Sequence, residues 1–147
     1  MTEKHEHEHD PNRCKHGEVC WLEIPVYDLS RAQKLYTDIF GWECKPDSAP
    51  LSQPGLETMH VFTKGGLNGA FLLIKDGYHM TQYGKLDKEV LPPLPTFCVK
   101  ECDETLAKVK AHGGKMQCPK TEIGGDMGYY ARFIDTEGNV IGIWSQH

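Results

Sequence analysis

The stretch from Tyr27 to Trp42, YDLSRAQKLYTDIFGW, reads as the end of a strand, a capped helix and a glycine exit. Upstream of it Leu22, Ile24 and Val26 alternate with other residues, which makes one face of a short strand apolar. Asp28 or Ser30 supplies a short polar side chain that accepts hydrogen bonds from the free N–H groups of a helix start. Ala32, Leu35, Tyr36, Ile39 and Phe40 then recur at spacings of three and four, so they share one helix face. Gly41 ends the helix, because a glycine tolerates the left-handed backbone that closes a last turn.

This pattern occurs twice. Setting each residue beside the one 73 positions later, without gaps, places Val26 on Val99, Gly41 on Gly114, Pro46 on Pro119 and Gly55 on Gly128. The match continues through Thr63 on Thr136, Gly65 on Gly138 and Gly69 on Gly142. Each half therefore reads strand, helix and three further strands. The expected strands of the first half are 19–27, 42–46, 57–63 and 68–74, with a helix over 30–40. Those of the second are 95–100, 115–119, 129–135 and 139–145, with a helix over 103–112. The expected organisation is a polar, disordered tail (1–17), a first βαβββ module (18–75), a linker rich in proline near its end (76–94) and a second module (95–147). Two such modules give an α+β fold of curved mixed sheets with a cleft between them, the natural place for a ligand.

Bulk properties narrow the function. With 39% hydrophobic and 25% charged residues, the 147-residue chain has the composition of a soluble globular domain. The formal charge is −5 and the basic residues are scattered, which argues against nucleic acid as a partner. No apolar run approaches the roughly 20 residues of a membrane span, and the N-terminal residues lack a signal-peptide core, so the expected location is the cytoplasm. Six cysteines, Cys14, Cys20, Cys44, Cys98, Cys102 and Cys118, form no CxxC pair that would suggest a redox or zinc site.

The run EIPVYDLSRAQKLYTDIFGW, together with GYYARFIDTEGNVIGIW from Gly128 to Trp144, resembles the glyoxalase/bleomycin-resistance/extradiol-dioxygenase families, the vicinal oxygen chelate superfamily. That resemblance spans about residues 17–147 and implies the tandem βαβββ fold, a small-molecule ligand and a homodimer. It leaves the activity open, since the superfamily includes lyases, isomerases, dioxygenases, thiol transferases and drug-binding proteins. In its metal-dependent members a ligand stands seven residues before the acid that ends the first strand of a module. Another stands three residues after the Asn of the last turn. Applied to this chain, the rule selects Trp21, Leu94, Gly142 and the repeat mate Gly69, none of which offers a side-chain donor. No metal is therefore expected at the usual superfamily positions and no cofactor is assigned. A divalent metal bound through relocated ligands is the alternative.

What the cleft offers instead follows from strand parity, since side chains two apart share a face. The expected ligand-binding residues are Trp21, Phe71, Thr96, Tyr129 and Trp144, aromatic walls around the bare backbone of Gly69 and Gly142; the alternative is that Trp21, Phe71 and Trp144 fill the interior and leave no cavity. Glu23 reads as a carboxylate desolvated among those rings and able to act as a general base, as a surface glutamate at a strand edge, or as one paired with Arg132. His60, set opposite Phe133 by the repeat, reads as an acid, base or metal ligand, or as a packed histidine. His79, Met80 and Tyr83 stand near the module junction, where a long loop serves as a lid or only as a linker. The tail segment HEHEHD, followed by Cys14 and His16, carries enough imidazole and carboxylate to hold Ni²⁺, Cu²⁺ or Zn²⁺ loosely.

Overall fold

The computed structural model describes residues 15–81 and 87–147, so the tail segment HEHEHD, Cys14 and Tyr83 lie outside the described residues. The chain runs β1 (Leu22–Val26), α1 (Leu29–Phe40), β2 (Glu43–Pro50), β3 (Leu56–Lys64) and β4 (Leu67–Ile74). After the linker come β5 (Thr96–Cys98), α2 (Cys102–Ala111), β6 (Lys115–Glu122), β7 (Tyr129–Ile134) and β8 (Val140–Ser145). Each half closes into one four-stranded mixed sheet, ordered β1-β4-β3-β2 in the first and β5-β8-β7-β6 in the second. The fold is α+β, two βαβββ units in tandem.

Local chemistry explains the helix ends. Asp28, rather than Ser30, caps α1: its side chain accepts a hydrogen bond from the Arg31 N–H, a contact that stabilises such a helix by about 1 kcal/mol. Gly41 closes the helix with φ of 67°. Glu101 caps α2 in the same way, through the Glu104 N–H. Strands β2 and β6 extend to Pro50 and Glu122, beyond the expected 42–46 and 115–119, because register shifts let both follow their antiparallel partners further. The opposite holds for β5, which pairs over only three residues, Thr96–Cys98, instead of 95–100.

One apolar core joins the two units. Ile24, Val26, Phe62 and Phe71 from the first sheet, Phe133, Ile141 and Ile143 from the second, and residues of both helices belong to it. Trp42 stacks between Tyr36 and Phe62, at centroid distances of 4.6 and 4.2 Å. At the end of α1, Phe40 lies 4.8 Å from the Phe97 ring of β5, which ties the units together. Full burial of a large apolar side chain stabilises the fold by about 1.5–3 kcal/mol. None of the helices formed by the described residues is long and apolar enough to cross a membrane. The five described cysteines are free thiols.

Candidate functional site

The turn DTEGN, Asp135–Asn139, clasps the first unit. Glu137 accepts the backbone N–H groups of Tyr27 and Asp28 at 3.0 and 2.8 Å and the Arg31 guanidinium at 2.7 and 3.0 Å. Asn139 donates from its side chain to the Pro25 carbonyl at 3.0 Å, and the Tyr36 hydroxyl donates to Asp135 at 2.6 Å. Burial pushes the Glu137 carboxyl up, but the hydrogen bonds from Arg31, Thr136 and the Asp28 backbone outweigh it and hold the group below its ordinary value. Asp135 goes the other way: burial holds its carboxyl above the ordinary value despite its hydrogen bonds from Tyr36 and Asn139. Burial, followed by the neighbouring Asp135 charge, raises the Tyr36 hydroxyl well above its usual range.

Strand pairing divides each sheet into a face packed in the core and an open face. Leu22 pairs with Gly69, Glu23 with Ala70 and Ile24 with Phe71, while Thr96 pairs with Gly142 and Cys98 with Trp144. Glu23 and Thr96 are repeat mates, yet their partners Ala70 and Gly142 stand 72 positions apart rather than 73. The last strands of the two units are thus displaced by one residue, and with a side-chain period of two a single step reverses the face.

That displacement corrects the expected aromatic walls. Gly69 and Phe71 face the core: Phe71 is fully buried, 4.8 Å from the Phe62 ring, and is no wall of a ligand site. Gly142, Trp144 and Thr96 share the open face of the second sheet. Tyr129 pairs with the buried Ser145 and packs against the core, with Lys120 over its ring at 4.6 Å, while Tyr130 pairs with Trp144 on the open face. Trp21 stands just before β1 and is 40% exposed.

His60 pairs with Phe71 on the helix-covered face, whereas Glu23 lies in register with Ala70 and Val61 on the other. The two candidate catalytic residues therefore point to opposite faces of one sheet. Pairing also makes Ala131, the partner of Ile143, the structural mate of His60, in place of Phe133. The His60 ring bonds the Thr58 hydroxyl at 2.8 Å, and desolvation holds its pKa below the ordinary value. Glu23 is exposed, and no ion pair joins it to Arg132 among the described residues.

A cavity of about 290 Å³ opens at the junction of the two units, between β1, the linker and the start of β8. Its wall is formed by aliphatic and proline side chains such as Leu22, Leu94, Pro95 and Val140, together with Met80 and Asn139, and Glu23 is the one charged lining residue among the described residues. Among the described residues that lining includes none of the aromatic neighbours expected around Glu23. Met80 is held in place by its backbone N–H, which donates to the Tyr27 hydroxyl at 2.9 Å; His79 beside it is exposed. The size lies near the lower end of ligand-binding cavities, and the mixture of apolar wall and few polar groups is typical of them.

The residues present do not fit the metal of the superfamily's metal-dependent members. Trp21, Leu94 and Gly142 carry no donor, and neither Gly69 nor Ala70, which replaces it by strand pairing, provides one. Among the described residues no three His, Cys, Asp or Glu side chains converge as a metal-binding group. Sequence reading missed the DTEGN clasp, although its residues had been singled out. A buried Glu in a glycine turn is a usable signal only once its partner Arg31, 106 positions away, is known.

No protein-family model matches the chain. A protein of Mycobacterium tuberculosis named "Putative glyoxylase" is 27% identical over 132 residues, covering 88% of this chain and 46% of its own length. The chain thus spans about half the length of that relative. A "Glyoxylase-like domain-containing protein" of Didymella fabae is 27% identical over 125 residues, with 84% of this chain and 90% of that protein covered. The fosfomycin resistance protein FosX of Listeria monocytogenes, solved with Mn(II) and dihydroxypropylphosphonic acid, superimposes with a TM-score of 0.60 at 18% identity, covering 88% of this chain and 90% of its own. Two tandem βαβββ units give the chain a glyoxalase-like fold, and the relatives named for glyoxalase support its resemblance to the glyoxalase/bleomycin-resistance/extradiol-dioxygenase superfamily, the vicinal oxygen chelate proteins.

Proposed function

We propose that this chain binds a small, largely apolar molecule in the cavity at the junction of its two units, with Glu23 as the charged anchor. The cavity's composition carries the reading: apolar walls supply affinity by excluding water, and the single carboxylate among the described lining residues selects a ligand bearing an amine, a hydroxyl or another donor. Asn139, held to Pro25 by its side chain, fixes one margin of the site, and the bond from Met80 to Tyr27 fixes another. The ligand is thus recognised by shape and one carboxylate, without a metal at the usual superfamily positions. The working location is the cytoplasm and the working assembly a homodimer.

The competing reading is a lyase, isomerase or dioxygenase of the same superfamily that uses relocated metal ligands. Its named pair, Glu23 and His60, occupies opposite sheet faces, so it gains no support from the geometry. Titration of the full chain with a set of small amines and alcohols bearing short apolar groups, followed by backbone amide NMR shifts, tests the proposal. Saturable shifts confined to Leu22–Ile24, Met80 and Gly138–Ile141, weakened by Glu23→Gln and blocked by Leu94→Trp, are the expected result. Shifts that leave these residues unmoved, or that persist unchanged in Leu94→Trp, would sink it.

A further inference from the structure

We propose that residues 79–81 form a gate over the junction cavity, with Met80 as its stopper and the Tyr27 hydroxyl as its latch, and that this gate selects narrow, unbranched amines over bulkier ones. The proposal rests on the ligand reading of the cavity given above and adds what controls entry to it.

Side-chain chemistry singles out the stopper. Among the described lining residues Met80 carries the only unbranched apolar side chain. The others are prolines, locked by their rings, and branched aliphatic residues such as Leu22, Ile24 and Val140, which are carried by strands. An unbranched thioether chain turns freely and fills irregular gaps, so movement in this wall belongs to Met80. Its methyl group reaches the DTEGN turn: a Cβ added at Gly138 would fall 3.3 Å from Met80 Cε. Gly138 has no side chain, and at φ of 99° it adopts a backbone conformation that favours glycine, so the methionine tip rests over bare backbone at the cavity wall.

The latch joins the same turn from the other side. The Met80 N–H donates to the Tyr27 hydroxyl at 2.9 Å, while the Tyr27 N–H donates to Glu137 at 3.0 Å. Stopper and latch therefore meet on one fixed turn. The preceding residue row is anchored to the first sheet: the Tyr78 N–H donates to the Lys75 carbonyl, the Lys75 N–H donates to the Gly55 carbonyl, and the Tyr78 ring covers Gly55, where an added Cβ would fall 2.7 Å from it. Beyond that anchor, the bond to Tyr27 is the one hydrogen bond that holds residues 79–81 among the described residues. It is exposed, so water replaces it readily and the gate opens without disturbing the core. A slender alkylammonium passes a turning methionine more easily than a ring does, and its charge then meets Glu23.

The test uses the full chain with n-butylamine and cyclohexylamine as probes. Without either probe, hydrogen exchange of the Met80 N–H should be about fivefold faster in Tyr27→Phe, as expected for loss of one hydrogen bond. With n-butylamine, relaxation dispersion of the Glu23 and Asn139 amides should show entry and exit both speeding up by a similar factor in that variant. Their ratio should change less, because a latch closes the cavity whether it is empty or filled. Met80→Ala should raise the affinity for cyclohexylamine relative to n-butylamine several-fold. A structural role alone would change the affinity for both probes alike. If neither probe moves the cavity amides in the wild type or in Met80→Ala, the ligand reading fails and the gate falls with it. If the wild type binds but both folded variants keep its rates and its preference, the ligand reading stands and the gate is overturned. Equal Met80 N–H exchange in the wild type and Tyr27→Phe overturns the latch.

Discussion

Glu137 and Arg31, 106 positions apart, meet at 2.7 Å, with the carboxylate side chain fully buried and the guanidinium side chain 47% exposed. The pair joins the last turn of the second unit to the start of α1, so packing of the two units, and with it the shape of the junction cavity, depends on it.

Its two partners should differ in cost. Glu137→Ala leaves the Tyr27 and Asp28 N–H groups without their acceptor and should destabilise the chain by about 3 kcal/mol. Arg31→Ala removes a half-exposed partner from a carboxylate that keeps its backbone donors, and should cost about 1 kcal/mol. Urea unfolding of the two variants measures both; equal losses would show that the backbone contacts contribute nothing.

Acid should act on the clasp in two directions. The pKa of Glu137 is depressed in the folded chain, so its contribution is present above the unfolded value, near 4.5, and is lost as pH falls through the folded value. That of Asp135 is raised above 3.8, so it favours the fold while protonated and gives up that contribution as pH rises through its folded value. Unfolding free energies measured from pH 5.5 to 3 should therefore fall less steeply in Glu137→Gln than in the wild type, and more steeply in Asp135→Asn.

A third pH effect belongs to the helices. His112, at the end of α2, bonds the Lys108 carbonyl at 2.7 Å and Asp38 of α1 at 2.6 Å, and these contacts, the carbonyl first, raise its pKa. Its contribution is complete below the unfolded value of 6.5 and is lost as pH rises through the raised folded value. Melting temperatures between pH 5.5 and 8.5 should decline in that window for the wild type. Asp38→Asn should flatten the decline, and salt should shrink the difference because Asp38 is half exposed.

Two glycines that the repeat made equivalent should respond differently to a methyl group. A Cβ at Gly69 would fall 2.1 Å from the Leu22 carbonyl oxygen and 2.6 Å from the buried Phe62 ring, so Gly69→Ala should cost about 3 kcal/mol. At Gly142 the nearest atom is the end of an exposed threonine side chain, which can turn away, and the cost should be about 1 kcal/mol. Thermal unfolding of both variants tests the assignment of faces directly.

The fold was legible in the sequence because its signals are local: the cap at Asp28, the three-and-four spacing to Phe40, the stop at Gly41 and their echo in the second half. The site was legible only in part. Parity puts Thr96, Gly142 and Trp144 on one sheet face, and strand pairing does the same, because β5 and β8 pair in register. It failed for Phe71 because a comparison without gaps cannot register a one-residue difference between two hairpins, and that difference decides whether a ring fills the core or faces solvent. The clasp of Glu137 on Arg31 and the cation–π contact of Arg132 with Tyr130 depend on tertiary placement, which no spacing encodes.

The central claim is that this chain recognises its ligand through an apolar cavity and one carboxylate rather than through a metal at the superfamily's usual place. Elemental analysis of untagged protein lacking residues 1–16, purified without chelator and then titrated with Mn²⁺, Fe²⁺, Ni²⁺ and Zn²⁺, tests it most directly, since the His- and Glu-rich tail is removed. The account predicts only trace metal and no saturable uptake. Near-stoichiometric metal that is lost in Glu23→Gln or His60→Ala would contradict it.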